Sequence, residues 1–122
     1  MENTKDVLKT RRNLPMLIRA KEDAVKNFAG IKKELVHFGC EFGEEYISVA
    51  LTELSAELDD AKRFNAEVDV RIKSLKDESV RRIFIERYSL GKGWEDVAED
   101  VGYALSHVHR LHKRGLKVFK SC

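Results

Sequence analysis

The sequence predicts an all-α protein in which a long N-terminal helical arm, a hairpin or a coiled coil, precedes a C-terminal helix-turn-helix module. Three observations carry that expectation. The 122 residues include one proline and seven glycines, so few positions break a helix. Charged residues make up 36% of the chain, above the rough quarter usual in globular domains, as suits helices laced with surface ion pairs. Apolar residues recur at three- and four-residue steps, and strand-like alternation is scarce. With 43% hydrophobic residues, a chain of this size buries one modest core beside an extended element. The expected division is an arm over residues 1–76 and a module over 77–122.

Taken in order, the opening "MENTKDVLKTRR" has weak periodicity and reads as a frayed tail or short helix. Pro15 suits a first helical turn, so the first clear helix is expected to begin there. Leu17, Ile18, Val25, Phe28, Ile31, Leu35 and Phe38 then form an apolar stripe. Gly39 and Gly43 bracket a break, and Glu44 and Glu45 open the next helix, where acids favour the exposed amides.

That second helix is the most regular part of the chain. Ile47, Leu54, Ala61, Val68 and Leu75 make one seven-residue series, and Leu51, Leu58, Asn65 and Ile72 make the other. Two such series form a heptad seam. Leu51, Leu54, Leu58, Asn65, Val68 and Ile72 are therefore the expected oligomerisation residues of a homodimer, with Asn65 setting register. The same pattern fits an antiparallel hairpin in which this helix packs on residues 15–38 of its own chain, and the two arrangements are compatible.

"KDESV" after Leu75 supplies a helix start, with Asp77 as cap and Glu78 in the first turn. Val80, Ile83, Phe84 and Tyr88 share one face, and "SLGKG" closes the element. This glycine pair lacks the preceding strand and the spacing of a phosphate-binding loop.

The stretch "GWEDVAEDVGYALSHVHRLHKRGL" changes sign abruptly, with four acids in its first half and none afterwards. Gly93 caps a short helix that starts at Trp94, and Glu95 and Asp96 occupy its first turn. Val97 and Val101 point inward, Ala98 is small where a second helix must cross, and Gly102 allows the turn. The second helix follows from about Ala104, with Val108 and Leu111 on the core side. This pattern is that of a helix-turn-helix whose second helix enters a DNA major groove. An ordinary helical hairpin with a solvated basic face matches part of it.

On the DNA reading, Ser106, His107, His109, Arg110 and Lys113 face bases or nearby phosphates. Leu105 meets a thymine methyl. Arg114, Lys117 and Lys120 hold the backbone. Arg110 is the expected guanine reader. The net charge of +2 conceals this asymmetry, because residues 102–122 carry five Lys and Arg side chains and no acid.

At these residues the chain resembles a known group. "RRIFIERYSLGKGWEDVAEDVGYALSHVHRLHKRGLKVF" is similar to the region-four helix-turn-helix of bacterial sigma factors, in the version found in small sigma-like regulators of Gram-positive phages, the RinA and ArpU type. The likeness lies in Arg87-Tyr88, Trp94-Glu95-Asp96-Val97-Ala98, Gly102-Tyr103 and Val108-His109-Arg110-Leu111-His112, about the last third of the chain. Ala104 stands where such modules usually place Ser or Thr, and Leu105 where a polar base reader is common. The resemblance implies a transcriptional regulator of a bacterial host's cytoplasm, binding double-stranded promoter DNA and RNA polymerase.

Two other functions compete with this one: a small-terminase-like DNA-packaging protein, and an inhibitor of a host nucleic-acid enzyme using a repurposed helix. An enzyme is not expected, because Glu44-Glu45 and Asp59-Asp60 are adjacent surface pairs and no nucleophile neighbours a base. No cofactor is expected. His107, His109 and His112 lack the geometry of metal ligands and read as exposed polar contacts. Cys40 and Cys122 read as free thiols, and no apolar run is long enough for a membrane span.

Overall fold

The computed structural model describes residues 3–121, and Cys122 lies outside them. Among the described residues every regular element is helical: α1 (Thr4–His37), α2 (Glu41–Lys73), α3 (Glu78–Phe84) with a π-helical continuation over Ile85–Ser89, α4 (Trp94–Val101) and α5 (Leu105–Ser121). None of these helices is long and apolar enough to cross a membrane. The chain forms two compact units, residues 15–63 and residues 1–14 together with 64–122. These bounds differ from the expected 1–76 and 77–122.

The N-terminal boundary is a correction. α1 begins at Thr4, and Pro15 lies inside it. Asn3 caps the helix, its side-chain oxygen accepting from the amides of Lys5 (3.0 Å) and Asp6 (3.3 Å). The opening turns are held by tertiary packing that periodicity does not report. Leu8 is fully buried among Val68, Ile72 and Ile83, and Arg11, 4% exposed, donates from Nε (2.7 Å) and Nη2 (3.0 Å) to the two carboxylate oxygens of Asp69. Burial pushes the Asp69 carboxyl up, but hydrogen bonds from Arg11 and Ser89 outweigh it and leave it below the usual range.

In the unit over residues 15–63, the end of α1 and the start of α2 form an antiparallel hairpin. The turn is a Schellman closure: Cys40 N–H bonds Leu35 O, Gly39 N–H bonds Val36 O, and Gly39 takes φ +72°. Gly43, expected to bracket the break, lies inside α2 instead. A Cβ there would stand 3.0 Å from Cys40 Sγ and 3.2 Å from Leu35 Cδ2, so its small size lets the chain turn back closely. Ile47 and Leu58 are buried between the helices, Leu51 and Leu54 are half-buried, and Lys21 Nζ meets Glu57 Oε2 at 2.9 Å.

The heptad series thus continues through both units and is used within the chain. Val68 and Ile72 belong to the core of the other unit, 2% and 0% exposed, so neither is available to a second copy. Asn65 is half-buried, with its side-chain oxygen enclosed and unbonded. The core around Val68 and Ile72 collects Leu75, Val80, Ile83, Phe84, Tyr88, Val97, Val108, Leu111 and Phe119. Asp77 caps α3 as expected, accepting from Val80 N–H at 3.1 Å.

Candidate nucleic-acid interface

α4, a turn and α5 form the helix-turn-helix. Gly93 precedes α4 in an extended conformation, with no side chain capping the helix. Glu95 and Asp96 in the first turn supply the charge that the free amides favour. Val97 is fully buried and Ala98 is 8% exposed, so a short helix buries its only apolar side. At the turn Gly102 takes φ +75°, a conformation that a side chain resists, and Gly102 and Tyr103 N–H both bond Ala98 O. The Tyr103 hydroxyl lies 3.0 Å from Ser79 Oγ, and Arg82 Nη2 donates to Asp100 O at 2.7 Å. These contacts tie the turn to α3. Lys92 Nζ joins Asp100 at 2.7 Å across α4, raising the lysine's pKa and lowering the carboxyl's.

α5 is seated from three sides. Val108, Leu111 and Phe119 are buried. Gly115 lies against α3, where an added Cβ would be 2.5 Å from Phe84 Cε1 and 2.6 Å from Val80 Cγ1. Arg71 of α2 sits 4.3 Å above the Phe119 ring. From the α4 side, the Trp94 ring is 4.9 Å from His109 and 4.6 Å from His112, and the Arg87 guanidinium stacks on Trp94 at 4.4 Å.

His112 corrects the expectation that the three histidines are exposed polar contacts. It is half-buried, packs on Phe84 and Trp94, and hydrogen-bonds the Tyr88 hydroxyl through Nε2. Burial, then the nearby charges of His109, Arg87 and Lys5, holds its pKa down at about 4. At neutral pH the imidazole is therefore uncharged, and it shares this hydrogen bond with Tyr88, whose own pKa burial raises. His109 is exposed at its edge while its ring rests on Trp94. His107 is half-buried against Tyr103, 4.9 Å between ring centroids. Among the described residues no three His, Cys, Asp or Glu side chains are grouped to hold a metal ion.

With that side spent on packing, the opposite side of α5 is left outward. Ser106, Arg110, Lys113, Lys117 and Lys120, spaced four, three, four and three residues apart, form one exposed stripe. Arg114 flanks it, and its Nη2 lies 4.0 Å from Asp77 Oδ2 in an exposed pair of the kind that contributes little and exchanges readily. His107, Arg110, Leu111 and Arg114 line a surface hollow of about 330 Å³. Leu105, 39% exposed, stands at the N-terminal end of the face. The predicted interface residues thus come together on one helix, with His107 and His109 partly committed to holding it.

Sequence reasoning missed the clamp of Arg87, Tyr88, Trp94 and His112, and also Gly115. A glycine inside an otherwise regular helix was the available signal for a close crossing. The aromatic clamp had none, because its members meet only when the π-helical turn, α4 and α5 pack together. No protein family, curated protein or solved structure matches the chain.

Proposed function

We propose that this chain is a sequence-specific DNA-binding transcriptional regulator of the phage type, with α5 as its recognition helix. One observation carries the reading: α5 turns an exposed, acid-free basic face outward from the core. A helix of this kind fits the roughly 12 Å major groove, and its field attracts the phosphates. Arg110, near the helix N-terminus, is the bidentate guanine reader, while Lys113, Arg114, Lys117 and Lys120 contact phosphates. Double-stranded DNA is the partner and RNA polymerase a second one. The action is binding rather than catalysis, in the cytoplasm of a bacterial host.

Anisotropy titrations of the full chain at several salt concentrations, on a fragment selected from random DNA and on its scrambled version, test this. Arg110→Ala should cost about 1–3 kcal/mol on the selected site and relax preference at one base pair. Lys120→Ala should weaken both sequences alike and reduce the salt slope by about one. Leu105 and Val118, 39% and 48% exposed on α5, favour a second reading in which the helix docks on a protein. Weak, sequence-blind binding that Arg110→Ala leaves untouched decides for that reading and against the regulator.

A further inference from the structure

The basic helix leaves a second exposed surface unexplained, on the outer side of α2 within residues 15–63. Phe42, Tyr46 and Val49 follow the i, i+4, i+7 spacing of one helical face and are 85%, 73% and 55% exposed. The side that packs on α1 is a different one, carrying Ile47 and Leu58. The two aromatics and the valine present roughly 300–400 Å² of apolar surface, since a buried aromatic side chain covers about 150–250 Å². An exposed patch of that size matches the largest on a typical monomer, which is often functional. The face then changes character: Glu53 and Asp60 continue the same row down the helix, Asp60 beside Arg63 in an exposed pair of 3.5 Å, while Glu57 borders it on the side of α1, where it meets Lys21. Every charged residue from Glu41 to Ala61 is acidic.

We infer that this face of α2 docks a basic amphipathic helix of another protein, one with apolar anchors in one half and Lys or Arg in the other. The aromatics act as anchors and the acidic row as the pairing partner that sets orientation. Charge decides against the same face of a second copy. Two such faces laid parallel place acid on acid, and laid antiparallel they place the acids of each over the aromatics of the other, so neither pairing supplies a cation. Helix recognition through i, i+4, i+7 anchors needs no rearrangement of an already formed helix. The inference is independent of the DNA-binding reading, because it rests on α2 alone.

The test uses the full chain and three synthetic helix-forming peptides: one with Leu anchors in one half and Lys in the other, one with Lys replaced by Glu, and one with Leu replaced by Ser. The Leu–Lys peptide should bind at least tenfold more tightly than either control. Phe42→Ser with Tyr46→Ser should remove at least a tenfold share of that affinity, and Glu53→Lys several-fold. All three positions are exposed, so unchanged helical content and melting temperature are expected, and Val49→Ser provides a milder apolar variant. Equal binding of the Leu–Lys peptide and either control, or no effect of the aromatic substitutions, overturns the inference. So does sedimentation showing a dimer of the wild type that Phe42→Ser dissolves, which assigns the face to a second copy.

Discussion

Replacing Gly115 by alanine tests the seat of α5 directly, because two physical effects of opposite sign meet at that position. An alanine inside a helix ordinarily stabilises it relative to glycine by about 0.5–1 kcal/mol. At Gly115 the new methyl would stand 2.5 Å from Phe84 Cε1 and 2.6 Å from Val80 Cγ1, far inside van der Waals contact. Neither neighbour can step aside easily, since Phe84 is fully buried and Val80 is 4% exposed. Relieving such overlap in a packed core costs about 1–3 kcal/mol, so the net change is a loss of about 0.5–2 kcal/mol. For a chain of this length that corresponds to a fall in Tm of roughly 2–8 °C. Gly30 supplies the control: it is helical, and an added Cβ there meets nothing within 4 Å, so Gly30→Ala should raise stability by about 0.5–1 kcal/mol. Circular dichroism melts of both variants give the comparison. If Gly115→Ala stabilises as Gly30→Ala does, α3 and α5 do not cross closely and the orientation of the basic face is wrong.

Three further outcomes are expected. Ala98→Leu should destabilise the helix-turn-helix by about 1–3 kcal/mol, read by thermal melts, because the methyl of Ala98 already lies in the core beside Val97. Asp69→Ala should cost about 2–4 kcal/mol in urea titrations, since it leaves the nearly enclosed Arg11 guanidinium without its carboxylate. The His112 pKa is depressed on folding, so the unfolded chain binds the extra proton first. Stability from this group is complete above the unfolded value near 6.5 and is lost as pH falls towards about 4. Allowing for partial solvent access, the loss should be about 1–2 kcal/mol, and His112→Gln should flatten that part of the stability–pH curve.

Local chemistry determined much of this protein from the sequence alone. The helical class, the Asp77 cap, the turn at Gly102, the inward Val97, Val108 and Leu111, and the outward basic row from Ser106 to Lys120 all follow from spacing, charge and glycine conformation within a few residues. Asn3 was equally legible as a cap, although weak periodicity hid the helix behind it. Tertiary structure decided what depends on distant partners. Pro15 lies within α1 because Leu8 is buried in the core that also holds Val68 and Ile72 and Arg11 is fixed by Asp69, some sixty residues away. A heptad seam specifies an apolar row but not what covers it, and packing against the same chain buried Val68 and Ile72. His112 is neutral because Phe84, Tyr88 and Trp94 exclude water from it, and no property of the stretch around it encodes that. Spacing reports which residues share a face, whereas the burial and charge state of that face depend on elements that meet only in the folded chain.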